Sequence, residues 1–292
     1  SLLAFKNIAY AETPIDACWT FNKAGDYKRA IEAGKLAVKK YPKNLDAYYC
    51  LGEAYYNIGE LQLAYKNMEK AKRLTNKKED LMYIYNKIGL ILKEMGCLNA
   101  ALLYHSKSLS LAKELGDTDM QGAILNNIAM IYKNKGELDK ALSYYEESLS
   151  LRTNEKDKAT TYNNIATVYD NKGDYQKAVE YFQKAIEIHE KYGDYHSASH
   201  DKLNLGDTYR KMKDYENAEK YLSEGLEGVK KVGDKFWEAY GYWCFGSLYR
   251  DKGDKKTARE YYTRAYNLYK SIGAKGYARA VLDDIKELDE SK

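Results

Sequence analysis

Residues 163–178 read NNIATVYDNKGDYQKA, and residues 126–141 read NNIAMIYKNKGELDKA. Both stretches place a small residue, Ala166 or Ala129, three positions before a tyrosine, Tyr169 or Tyr132. Four positions beyond that tyrosine comes a glycine with an acid behind it, as Gly173-Asp174-Tyr175 and Gly136-Glu137-Leu138, and an alanine follows at Ala178 or Ala141. A glycine there lets the backbone turn left-handed and close a helix, and the acid behind it suits the positive N-terminal end of the next helix. The small residue lets a second helix approach closely while the tyrosine fills the space beside it. Each stretch therefore reads as the corner of a helical hairpin.

The corner recurs outward in both directions. Gly25-Asp26-Tyr27 with Ala30 and Gly59-Glu60-Leu61 with Ala64 keep it whole. Gly96-Cys97-Leu98 with Ala101, Lys213-Asp214-Tyr215 with Ala218 and Gly253-Asp254-Lys255 with Ala258 keep it in part. The small/large pairs ahead of these corners hold the same register, as Cys18/Phe21, Gly52/Tyr55, Gly89/Leu92, Gly206/Tyr209 and Gly246/Tyr249. Seven corners at intervals of 34, 37, 40, 37, 40 and 40 residues mark a repeat architecture. The longer intervals extend second helices that stop at Leu115-Gly116-Asp117, Tyr192-Gly193-Asp194 and Val232-Gly233-Asp234, where glycine ends one helix and aspartate caps the next.

This register resembles that of tetratricopeptide repeat proteins across residues 11–272, and its long units are similar to those of kinesin light chains, the LGN/Pins scaffolds and bacterial signalling scaffolds. The resemblance implies an all-α, right-handed superhelical solenoid of about seven helix-turn-helix units, at 11–44, 45–78, 82–117, 122–155, 159–194, 199–234 and 239–272. Residues 1–10 are expected to be an N-terminal extension or cap. Residues 274–290 read as a C-terminal capping helix, with Tyr277, Val281, Ile285 and Leu288 as its apolar stripe. Unit six carries Gly225 and Gly228 in its second helix and Lys213 in place of the turn glycine, so it is expected to be the softest.

The resemblance also implies that the first helices line a concave groove that grips an extended peptide. Carried onto this chain, the register sets Asn127, Asn164 and Asn204 two positions before the small residue, with Asn86, Asn126 and Asn163 one position earlier. An amide side chain donates and accepts at once, so such a ladder pairs with a peptide backbone of any sequence. Four positions after the small residue stand Tyr56, Lys93, Lys133, Asp170, Arg210 and Arg250. Lys133, Arg210 and Arg250 would draw an acidic segment or a C-terminal carboxylate. Tyr49 and Trp243, on the groove side with Tyr83 and Tyr240, are candidate anchors. Binding is expected to centre on units four to six. Unit one has Ile15 and Trp19 where chaperone-binding relatives use Lys and Asn, which argues against a receptor for chaperone tails.

Composition agrees with a folded binding protein. Apolar residues make up 45% and charged residues 31%, and only Pro14 and Pro42 could interrupt helices. The 47 basic and 43 acidic side chains are interleaved, which leaves no footprint for nucleic acid. No apolar run is long enough to span a membrane. The cysteines Cys18, Cys50, Cys97 and Cys244 lie far apart and read as thiols, not as a disulfide. No nucleotide-binding, hydrolase or metalloprotease motif occurs, so no cofactor and no catalysis are expected. His196 and His200 are four apart with His189 nearby, but without a carboxylate or cysteine at a convincing position they read as surface histidines, and no metal is expected.

The reading is a non-catalytic scaffold that holds an extended segment of a partner protein. Its alternatives are the peptide-sensing module of a bacterial signalling protein, or a scaffold that self-assembles through Leu2, Leu3, Phe5 and Ile8. Ala9-Tyr10-Ala11 imitates a signal cleavage site and leaves export open beside the cytoplasm.

Overall fold

The computed structural model describes residues 13–290, which form fifteen α-helices and, among them, no strand. The N-terminal extension and the self-assembly assigned to it lie outside the described residues. The chain divides into two compact units between Glu137 and Leu138. The first holds α1 (Pro14–Lys23), α2 (Tyr27–Lys40), α3 (Leu45–Asn57), α4 (Leu61–Lys72), α5 (Lys78–Glu94), α6 (Leu98–Leu115) and α7 (Thr118–Asn134). The second holds α8 (Leu138–Leu151), α9 (Glu155–Asn171), α10 (Tyr175–Lys191), α11 (Tyr195–Lys211), α12 (Tyr215–Val232), α13 (Lys235–Asp251), α14 (Lys255–Ser271) and α15 (Lys275–Glu290).

The corners form as the sequence implies. Gly173 has φ 79°, its N–H donates to the Asp170 carbonyl at 3.0 Å, and the Asp174 N–H donates to the Tyr169 carbonyl at 2.9 Å. That pair of bonds is a Schellman closure, which satisfies carbonyls the helix end would leave open. Asp117, Asp194 and Asp234 each accept from a backbone N–H three residues on, and so cap α7, α11 and α13. Among the described residues, Lys213 at φ 63° is the one non-glycine in the left-handed region.

In four hairpins the small position is a glycine that meets a large residue sixteen positions later. A side chain on Gly52 would run into Met68, on Gly89 into His105, on Gly206 into Leu222, and on Gly246 into the Tyr262 ring at 2.4 Å. All four of those partners are fully buried. Gly225 and Gly228 have the same purpose in reverse, since added β-carbons would strike Leu203 and Ser199 on α11. Aromatics then stack twelve positions apart: Tyr169 on Tyr181, Tyr209 on Tyr221 and Tyr249 on Tyr261, with centroids 5.6–5.7 Å apart. These pairs assign six of the 31 tyrosines to packing.

In α15, Ala278, Val281 and Leu288 are buried against Tyr262 and Tyr269, while Ile285 is half-buried. Tyr277 is 48% exposed and lies at the edge of that stripe, its ring stacked on Tyr269 at 5.2 Å.

Two expectations about side chains need correction. Cys18 and Cys50 are joined as a disulfide, not left as thiols, because stacking α1 against α3 brings their Cα atoms to 6.3 Å, within bonding range. Cys97 remains an exposed thiol and Cys244 a buried one. His189 is no surface residue either: it is buried, and its Nδ1 lies 2.8 Å from an Asp201 carboxylate oxygen.

Candidate functional site

The candidate residues stand on the first helices of the hairpins, α3, α5 and α7 in the first unit and α9, α11 and α13 in the second. Four of the six asparagines pair across neighbouring helices. Asn127 Nδ2 on α7 donates to Asn86 Oδ1 on α5 at 3.0 Å, and Asn204 Nδ2 on α11 donates to Asn163 Oδ1 on α9 at 3.4 Å. All four are half-buried. Each pair uses one donor and one acceptor site and leaves the second amide proton and further lone pairs for another partner. Asn126 and Asn164 are buried, 6% and 7% exposed, and Asn126 Nδ2 turns to the Met130 sulfur at 3.8 Å. The amides thus present alternating register positions, Asn127 and Asn204 from one column and Asn86 and Asn163 from the other.

The charged column differs between the units. On α7, Lys133 is half-buried, and among the described residues no carboxylate reaches it. Burial, with the neighbouring Lys93 adding, lowers its pKa. Lys93 on α5 bonds Glu94 at 2.9 Å. Seven residues of helix separate Lys93 from Asn86, about 10 Å along α5, so the lysines form a second tier beyond the amides. Beneath them His105 is buried with both ring nitrogens unpaired, and burial, then Lys93, lowers its pKa to about 4.

In the second unit the corresponding tier is neutralised from within. Arg210 bonds Asp207 at 2.8 Å and also Asp251, while Lys211 bonds Asp207 at 3.0 Å and also Asp170. Burial would raise the Asp207 carboxyl, but the Arg210 and Lys211 charges outweigh it and hold its pKa low. Arg250 approaches Asp251 at 3.2 Å and Asp284 at 4.0 Å. The Trp243 indole N–H donates to Asp284 on α15, so this anchor has its polar edge occupied. Trp243, Tyr240, Arg210, Arg250 and Asp284 line one cleft of about 270 Å³.

Tyr49 lines a separate cleft in the first unit with Trp19, Tyr83, Asp46 and Asp80, of about 250 Å³. Its ring lies 5.9 Å from that of Trp19, and burial, then Glu53, raises the pKa of its hydroxyl. Sequence reasoning missed the carboxylates of the second unit, Asp207, Asp251 and Asp284. The signal for them is the interval: Asn86/Asn127, Asn163/Asn204, Asp170/Lys211, Arg210/Asp251 and Trp243/Asp284 all pair at 41 residues.

The tetratricopeptide repeat family model matches residues 80–154, 120–191, 157–231 and 194–271, and a second tetratricopeptide repeat model matches residues 20–76. Curated proteins give no match. Among solved structures the chain is similar to a Rap protein complexed with Competence and Sporulation Factor, at TM-score 0.70 and 14% identity over 98% of this chain and 89% of that one. It is similar to the Rap conjugation gene regulator of plasmid pLS20 in complex with the Phr* peptide, at 0.67 and 21% over 91% and 75%. It is also similar to the apo form of the quorum sensor NprR from B. thuringiensis, at 0.67 and 17% over 98% and 90%. At these identities the likeness is one of fold.

Proposed function

The chain belongs to the tetratricopeptide repeat family, and on that premise we propose that it is a non-catalytic scaffold whose first-helix face holds an extended peptide segment of a partner protein. One observation carries this reading: the Asn86–Asn127 amide pair, with donor and acceptor sites to spare, stands two turns from the uncompensated Lys133 cation. The amides take the peptide backbone, and Lys133 with Lys93 takes a carboxylate, either an acidic side chain or a chain terminus. Asn163 and Asn204 repeat the backbone-binding tier in the second unit without adding a carboxylate site. Tyr49 gives the first unit an aromatic anchor.

Selection from a random-peptide display library tests this. Wild-type protein should enrich peptides that lose at least about tenfold in affinity when Asn127 and Asn204 are both replaced by alanine, each lost hydrogen bond contributing about 1 kcal/mol. Amidating the peptide carboxylate should weaken wild-type binding but not that of Lys133→Ala. Peptides that bind wild type and the asparagine variant equally would sink the reading.

The peptide-sensing alternative draws support from the likeness to Rap and NprR over 98% of the chain. It requires in addition that a free short peptide, once bound, changes the small-angle scattering profile of the protein. A bound peptide that leaves the profile unchanged favours the scaffold.

A further inference from the structure

We propose that His196, His200 and Asp234 form a binding site for a divalent transition metal, with zinc as the best-fitting ion, where α11 and α13 begin. His196 and His200 are one helical turn apart on α11, so their rings share a face. Asp234 caps α13, and its two oxygens divide the work. Oδ1 accepts from the Trp237 N–H at 3.1 Å, which fixes the carboxylate, while Oδ2 lies 2.8 Å from His196 Nε2 and 3.3 Å from His200 Nε2. The three candidate ligand atoms all lie within 4.8 Å of one another. A tetrahedral zinc ion with bonds of about 2.0–2.1 Å spaces its ligands about 3.3 Å apart, so small side-chain movements close the site.

The rings are already ordered for this. His200 stacks on Trp237 with centroids 4.2 Å apart and planes 14° from parallel, and His196 meets His200 edge-on at 4.3 Å. Without an ion, one carboxylate oxygen accepts from both imidazoles; with one, each ring carries its proton on Nδ1 and turns the Nε2 lone pair to the metal. Two helix N-termini face this corner, and their positive ends oppose a cation. The cap carboxylates Asp194 and Asp234 offset that field.

Two imidazoles and a carboxylate suit zinc, cobalt, nickel or copper, and not the hard ions magnesium or calcium, which take oxygen ligands. Three protein ligands leave a fourth position open, and His196 has 46% of its side chain exposed, so water or a donor group from a bound partner can complete the shell. The ion would join two successive first helices of the second unit at the end where each begins. Sequence alone lacked the carboxylate because Asp234 lies 38 and 34 residues beyond the two histidines, about one repeat away.

Calorimetric titration of the tag-free full chain with zinc chloride tests the site. One saturable site per chain is expected, reversed by a chelator and absent with magnesium or calcium. His196→Ala, at an exposed position, and Asp234→Asn, which keeps a good helix cap, should each weaken zinc binding by at least about tenfold. Circular dichroism checks that both variants fold. Cobalt should give an intense visible absorption band in wild type that His196→Ala loses. Absence of saturable zinc binding, zinc binding unchanged in the variants, or equal binding of calcium would each overturn the proposal.

Discussion

The two units build the same hairpins and finish their charges differently. In the second unit Arg210 and Lys211 are enclosed by Asp170, Asp207 and Asp251, and the buried His189 has Asp201 beside it. In the first unit Lys133 meets only another cation, and the buried His105 has no hydrogen-bond partner. The unpaired buried atoms of the second unit include the hydroxyls of Tyr145, Thr161 and Tyr269, but no imidazole nitrogen. Packing rules therefore fix the repeat, while charge pairing is free to vary from one repeat to the next. Uncompensated groups destabilise the free protein and leave something for a ligand to satisfy.

Breaking the second unit's network should have the largest effect. Asp207→Ala leaves Arg210 with Asp251 and Lys211 with Asp170 but removes the carboxylate that both cations share, and the expected cost, two charge-assisted bonds, is about 3 kcal/mol, read as a lower urea midpoint with an unchanged slope. A loss below about 0.5 kcal/mol, as exposed pairs give, would mean that the network is only a surface feature.

The next effect belongs to the first unit and depends on pH. The pKa of His105 falls from 6.5 in the unfolded chain to about 4 in the folded one, so the folded state excludes a proton that the unfolded state takes up. Its contribution is complete above pH 6.5 and is lost as pH falls towards 4, by about 2 kcal/mol between pH 7 and pH 5. Denaturation at both pH values, compared with His105→Leu, isolates the effect. Equal pH dependence in the two proteins would remove His105 as its source.

A smaller change concerns the corners. Lys213 holds a left-handed backbone that the other corners assign to glycine. Lys213→Gly should stabilise the second unit by about 1 kcal/mol, measured by thermal unfolding, whereas Gly173→Ala should cost a similar amount. The smallest effect is expected at Lys133. Lys133→Met should leave stability unchanged or raise it by about 0.5 kcal/mol, because a half-buried charge that no carboxylate among the described residues reaches is exchanged for an apolar chain of similar length. A loss above 1 kcal/mol would show that Lys133 is compensated after all and would erase the contrast between the units.

The hairpins were legible because a corner is a local event: glycine, acid and alanine within six residues carry it, and seven copies in register leave little room for another reading. The small/large columns were legible for the same reason. The contacts that finish the site were not. Trp243 reads as a free anchor until Asp284, on the helix taken for a simple cap, accepts its N–H. Arg210 reads as a cation awaiting an acid until Asp251 arrives from the next repeat. Asn126 and Asn164 read as groove residues, but both side chains are buried. These contacts depend on how one hairpin sits on the next, which hydrophobic periodicity within a helix does not encode. The disulfide was hidden in the same way, since Cys18 and Cys50 are one repeat apart and belong to different hairpins.

That bond has a topological consequence. Hairpins stacked side by side are joined covalently only by a loop, so once their packing is disrupted nothing else ties one to its neighbour. The link between Cys18 and Cys50 closes α2 and its flanking loops into a covalent ring with α1 and α3 on its rim. Within that ring a second covalent tie remains, and a chain cut between α2 and α3 still holds both pieces together.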